Sequence, residues 1–309
     1  GRLALVTQPA TPALSDPAPL VAELNAHLAH PLTLHAFDPI RNETFTWVAP
    51  PERWGEWITI SAPEADPTAL QWQVDPQQAR AFVETAGGEV GPERTLDLEL
   101  ATAALLDSIP AGTYQAESRL YHQDREHVVQ SGETLSSIAF DYGLPYPWIE
   151  AANPQLNGTL SAGQTIVIPS PDVMLPLPVV AGKRLVVSLS TQELWAYAGD
   201  EVIWHWPVST GIESSPTAPG VFQIQSHEEN AYAGNWDLWM PHFMGIYRPV
   251  PGIPFMNGFH GFPTRNGSTL LWTGDLGRPV TYGCILLSSE NAALLYDWAE
   301  PGVVVEVIP

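Results

Sequence analysis

The 309-residue chain has one cysteine, Cys284, directly after Gly283 in the stretch VTYGCILL at 280–287. A lone thiol closes no internal disulfide, so it is either a small buried hydrophobe or a nucleophile. A working thiol needs a base in reach, donors for the oxyanion it creates, and a backbone that presents the sulfur. Gly283 permits a tight turn, and the successive N–H groups of Tyr282, Gly283 and Cys284 can point into one concavity. Nine histidines are candidates for the base. His260 stands apart because GFHGFP sets it between Gly258 and Gly261, where a histidine has little helical or core purpose. His205 lies inside the alternating strand EVIWHWPV and reads as structural; His227 falls in a polar loop, and His242 in WMPHFMG is open. The interval between His260 and Cys284 carries no meaning of its own, since such pairs meet in space. No grouping of His, Cys and carboxylates has metal-ligand spacing, so neither a metal nor an organic cofactor is expected.

Three segments of different texture must position these residues. Residues 1–122 mix strand-like stretches (PLTLHAF, EWITISAP, ALQWQVD) with two helical ones, which reads as an α+β domain. The first helix is DPQQARAFVETAGG, with Asp75 as cap, Pro76 at its first position and Gly87–Gly88 as its stop; the second is LDLELATAALLDSI. Trp47, Trp54, Trp57 and Trp72 are expected in the core, with a binding surface as the alternative. Residues 126–170 read β-α-α-β: strand HVVQ, helix TLSSIAFDY ended by Gly143, short helix PWIEAANP, a turn at Asn157–Gly158, and strand QTIVIPS. Residues 171–183 are proline-rich and read as a semi-rigid linker. Residues 184–309 alternate as strands through LVVSLS, ELWAYA and VIWHWPV, then end on a late helix and a final strand, a mainly β domain.

Composition narrows the class. A formal net charge of −22, with one lysine among 12 cations, argues against nucleic acid and against anionic membrane surfaces. No apolar run is long enough to span a bilayer. The start, GRLALVTQPATPALSDPAPL, lacks the basic and apolar regions of a secretion signal, and an anchor removed from the N-terminus is the one membrane link expected.

Two resemblances bring these readings together. V-x-x-G-E-T-L-S-S-I-A, I-E-A-A-N-P and L-x-A-G-Q-x-I-x-I-P make 126–170 closely similar to the LysM module, which implies binding to N-acetylglucosamine-containing chains such as peptidoglycan. Residues 184–309 resemble the L,D-transpeptidase (YkuD) catalytic domain through VSLSTQEL, PVSTGIESSPTAPGVFQI, FHGFP and LGRPVTYGCILL, in the family's order. The implied fold is a capped β-sandwich with Cys and His in a shared cleft. Residues 30–120 show a fainter likeness to a peptidoglycan-binding-like domain. Carried over, the resemblance makes Cys284 the nucleophile and His260 its base, with the amides of Tyr282, Gly283 and Cys284 as oxyanion donors. It sets Tyr247, Trp239, Gly261 and Thr281 toward substrate, with Met240 beside them; core packing is the alternative for Tyr247, Trp239 and Met240.

The family's Ser-His-Gly-Cys is Thr281–Tyr282–Gly283–Cys284 here, and its arginine after Cys-Ile is Leu286. A thiol without a neighbouring cation should hold less thiolate at pH 7, so an altered, slow site is expected. The expectation is therefore an extracytoplasmic, cell-wall-associated, multidomain L,D-transpeptidase whose partners are glycan strands and stem peptides. Its rivals are an inactive peptidoglycan-binding protein and an L,D-carboxypeptidase of the same fold.

Overall fold

The computed structural model describes residues 17–62, 70–156 and 159–309. The Asn157–Gly158 turn and most of the N-terminal stretch read above lie outside the described residues. Contacts divide the chain into two compact units, Gly1–Tyr121 and His122–Pro309. Among the described residues no helix is long and apolar enough to cross a membrane.

The first unit runs α1 (Ala18–His27), β1 (Leu32–Asp38), β2 (Glu43–Ala49), α2 (Pro51–Trp54), β3 (Ile58–Ser61), β4 (Gln71–Val74), α3 (Pro76–Glu89), β5 (Arg94–Leu96), α4 (Leu98–Asp107) and β6 (Gln115–His122). Its main sheet has the order β2-β1-β6-β5, and β3 pairs with β4 alone. Alternation along β1 turns Leu32, Leu34 and Ala36 inward, onto a core that includes Trp54, Trp57, Phe82 and Leu105. Trp47 and Trp72 pack against that core, and their indole N–H groups donate to Glu89 and Glu23 at 2.8 Å. The four tryptophans are thus packing residues. Asp75 caps α3 by accepting from Gln77 N at 2.8 Å. The helix does not stop at Gly87–Gly88, because both stay helical; the left-handed residue that ends such a run is Gly91, at φ 92°.

The second unit opens with the β-α-α-β module: β7 (Arg125–Val128), α5 (Leu135–Tyr142), α6 (Tyr146–Ala152) and β8 (Thr165–Ile168). Thr134 and Ser137 exchange side-chain-to-backbone bonds at the start of α5, and Gly143 at φ 69° ends it. Residues 171–183, read as a semi-rigid linker, are held to the rest of this unit. Met174 and Leu175 are buried, and the Gln223 side chain accepts from Leu177 N at 2.9 Å while donating to Gly302 O at 3.1 Å. Proline sets the path of this segment, and its apolar side chains then hold it down.

The remaining elements are β9 (Lys183–Ser188), β10 (Glu193–Ala198), β11 (Glu201–Pro207), β12 (Gly220–Gln223), β13 (Ser226–Ala233), β14 (Leu238–Tyr247), β15 (Asn257–His260), β16 (Thr264–Arg265), β17 (Ser268–Thr269), β18 (Ile285–Leu286), α7 (Ser289–Trp298) and β19 (Val304–Ile308). One sheet has the order β11-β10-β9-β19-β12; the other has β17-β16-β14-β15-β18, with β13 on β14. Phe222 and Tyr247 stack across the two sheets at 4.4 Å between ring centroids. Ser288 caps α7, which covers β14 and β15. The result is a mainly β, helix-capped domain. His227 belongs to strand β13 and its Nε2 donates to Ala299 O at 2.6 Å, so it is structural, not a loop residue.

Candidate active site

The chemistry-bearing residues are brought together by two short parallel strands, β15, which ends on His260, and β18, which Cys284 directly precedes. Phe259 pairs with Ile285 and His260 with Leu286, so Cys284, in the turn that enters the adjacent strand, precedes the partner of His260 by two positions. Both side chains line one cleft of about 290 Å³. Fully buried Phe259 and Ile285 anchor this pairing in the core. Gly258 must be bare, since a β-carbon there would sit 2.0 Å from Met244 O.

The turn before Cys284 is held from inside. Gly283 stands at φ 108°, which disfavours any side chain, and a β-carbon would lie 2.6 Å from Asn257 Nδ2. Thr217 Oγ1 donates to Gly283 O at 3.0 Å. Thr281 Oγ1 donates to Cys284 O at 2.6 Å and accepts from Gly283 N at 3.3 Å. Thr281 therefore braces the turn from a position that also lines the cleft.

The histidine is oriented by its own neighbour. His260 Nδ1 lies 2.7 Å from Gly261 O. A carbonyl only accepts, so Nδ1 carries the proton and Nε2 keeps its lone pair. Gly261 does a second job: its N donates to Pro241 O at 2.9 Å, and a β-carbon would press within 3.3 Å of Ser289 Cα on α7. It thus sets the histidine and seats the helix. Burial holds His260 down to about 4. Burial also pushes the Cys284 thiol up to about 11, against a smaller lowering by the Gly258 N–H. The site at rest is a neutral thiol beside a neutral imidazole.

The thiol does not donate to His260 in this state. Cys284 Sγ donates to Asn257 Oδ1 at 3.8 Å, and Asn257 Nδ2 donates to the Tyr247 hydroxyl at 3.0 Å. That hydroxyl also accepts from Ala218 N at 3.0 Å. Tyr247 is 1% exposed, so it stands behind the nucleophile and faces no ligand. Burial raises its hydroxyl to about 12. The expectation that Trp239 borders the cleft is also corrected. Strand alternation sends Leu238 and Met240 to the cleft and turns Trp239 to the other face, against Tyr232.

Two departures from the family pattern acquire positions. Tyr282, where the motif has histidine, is 56% exposed at the cleft rim and stacks on Trp236, which in turn meets Phe255. Leu286, where the motif has arginine, is wholly enclosed and exchanges backbone bonds with Ser209. The cation is not replaced at the turn; the one guanidinium lining the cleft belongs to Arg265. Asn257, Trp236, Phe255 and Arg265 were not singled out in the sequence. Only Asn257 left a signal there, as the polar residue opening N-G-F-H-G.

The YkuD family, the L,D-transpeptidase catalytic domain, matches residues 182–307, and the LysM domain matches residues 127–169. An L,D-transpeptidase YkuD of Bacillus licheniformis is 30% identical over 182 residues, 59% of this chain and 97% of that protein. Its Bacillus subtilis counterpart is 28% identical, covering 53% of this chain and 86% of that protein. Among solved structures, an Enterococcus faecium L,D-transpeptidase mutant is 19% identical over 93% of this chain and 99% of that chain, with TM-score 0.40. An L,D-transpeptidase from Stackebrandtia nassauensis is 23% identical over 43% of this chain and 58% of that chain, with TM-score 0.34.

Proposed function

This chain belongs to the YkuD family of L,D-transpeptidases, and from that premise we propose that it cross-links peptidoglycan stem peptides by acyl transfer through Cys284. One observation carries the reading: Cys284 and His260 line one cleft, and Gly261 O fixes the histidine in the tautomer whose Nε2 can accept a proton. In the proposed reaction Sγ attacks the carbonyl between the third stem residue and the terminal D-Ala, and the thiol proton passes to Nε2. The oxyanion is held by the amides of the 282–284 turn. Gly283 N already makes a long bond to Thr281, so Tyr282 and Cys284 are the preferred donors. Each donor of this kind is worth about 2.7–4 kcal/mol. Collapse breaks the C–N bond, the departing D-Ala nitrogen takes the proton from Nε2, and a thioester remains. An acceptor amine then attacks the thioester, giving a proton to Nε2, and the thiol is released in its starting form.

The LysM module is proposed to hold glycan strands beside this cleft, which would make the working location the cell wall outside the cytoplasm. A further wall-binding role for residues 1–122 is part of the same reading. A specific observation favours a slow enzyme as the second reading: the thiol proton rests on Asn257, and burial favours the protonated form.

The test is intact-protein mass after incubation with a carbapenem, a β-lactam that acylates thiols of this type. An adduct on the parent chain, lost in Cys284→Ala and slowed in His260→Ala, is the expected result. A folded chain that pellets with peptidoglycan yet forms no adduct would make it a binding protein. Product analysis with and without an amine acceptor separates the transferase from the L,D-carboxypeptidase.

A further inference from the structure

The cleft carries a single guanidinium, and its surroundings select for an anion. Arg265 ends β16, just before the Asn266–Gly267 turn, and lines the cleft with His260 and Cys284. Its Nε donates to Asp237 O at 3.2 Å, and its Nη2 donates to Trp236 O at 2.5 Å. Those two carbonyls take two of the five N–H groups of a guanidinium. They also fix the fork, while the charge stays uncompensated. Arg41, Arg80, Arg94, Arg184 and Arg278 each pair with a carboxylate, whereas among the described residues Arg265, like Arg53, Arg125 and Arg248, pairs with none. The acid beside it in space, Asp237, accepts instead from the Tyr232 hydroxyl at 2.9 Å. What sets Arg265 apart from Arg53, Arg125 and Arg248 is its place, since it is the guanidinium that lines the cleft of Cys284 and His260. Around it the cleft is lined by Trp236, Phe255, Leu271 and Val280, which bring no second cation, so an entering anion would meet Arg265 as its charged partner at the solvent-exposed side of the cleft.

We propose that Arg265 binds a carboxylate of the donor stem peptide and thereby determines which stems the cleft accepts. The inference rests on the acyl-transfer reading above and deepens it. Arg265 touches no reacting atom; it selects and orients the donor, in place of the cation that Leu286 does not supply.

The test uses the full chain and tetrapeptide donors in three forms: all carboxylates free, the terminal D-Ala carboxylate amidated, and the other carboxylates amidated. Arg265→Gln should raise KM for the free donor between about 10- and 100-fold with a small change in kcat. Amidation at the recognised carboxylate should cost the parent a similar factor and cost Arg265→Gln nothing further. Which amidated donor shows this identifies the carboxylate, and Arg265→Lys should recover part of the loss. Equal kinetics of parent and Arg265→Gln on the free donor would overturn the assignment. So would a loss in Arg265→Gln of the same size on every donor, which would make Arg265 a brace for the 234–236 turn. A parent that turns over no donor and takes no carbapenem on Cys284 would overturn the acyl-transfer reading and this inference with it.

Discussion

At the scale of residues, the site is defined by two groups that burial keeps uncharged. The missing cation after Cys-Ile led to the expectation of little thiolate at neutral pH; in the structure the thiol is raised to about 11 by a different cause, burial. Leu286→Arg would therefore place a guanidinium in an enclosed position and test folding more than reactivity. A cleaner measurement is thiol alkylation against pH. Its rate should keep rising with pH until about 11, beyond the point where an ordinary thiol levels off, and Asn257→Ala, which removes an acceptor from the protonated thiol, should move the profile to lower pH. An unmoved profile would mean that Asn257 has no hold on the sulfur. Stability gives a second prediction. His260 titrates at about 4 in the folded chain, against an ordinary 6.5. Between those values the unfolded chain binds a proton that the folded chain refuses, so stability falls as pH drops through the window, by at most about 3 kcal/mol. The thiol acts at the other end: stability falls as pH rises from 9 toward 11. Urea unfolding at pH 7 and pH 4.5 should show a larger acid loss for the parent than for His260→Gln. Equal losses would contradict the buried, neutral histidine.

At the scale of elements, the nucleophile depends on a turn with little tolerance. Gly283→Ala would meet both a left-handed φ of 108° and Asn257 at 2.6 Å, displacing the amide that faces the sulfur. Carbapenem acylation should slow about 100-fold while the fold survives, because small displacements of a reacting group cost factors of that order. Thr281→Val removes the donor to Cys284 O and should slow acylation less, by roughly tenfold, in line with the loss of one hydrogen bond. A Thr281→Val chain that acylates at the parent rate would show the turn to be self-supporting. The turn was partly legible in sequence, because Gly283 before the only thiol marks a close approach. The brace was not. Thr281 lies in the motif, but which way its hydroxyl points depends on the Cys284 carbonyl, three residues on.

At the scale of the whole molecule, the LysM module is docked onto the catalytic domain. Trp148 Nε1 donates to Arg248 O at 2.8 Å, and Gly143 meets Gly220 backbone to backbone. Residues 171–183, which join the two, are themselves packed, so the module is held to the domain by more than its chain connection. Gly220→Ala would put a β-carbon 2.1 Å from Gly143 O. It should release the module, splitting one calorimetric transition of this unit into two and exposing 171–183 to proteolysis. A single transition with unchanged cleavage would mean that other contacts suffice.

The sequence by itself determined what is carried by local chemistry and chain order. The helix cap at Asp75, the β-α-α-β module and the alternating strands follow from residue types at short spacing, whereas the pairing of His260 with Cys284 came from the family resemblance. The tertiary structure alone decided what depends on which surfaces meet. It turned Tyr247 inward and Trp239 away, gave Asn257 to the sulfur, enclosed Leu286, and brought Arg265 from a surface hairpin to the cleft wall. Periodicity says that a strand has two faces, but the packing of the second sheet and α7 decides which face becomes core and which borders the cleft.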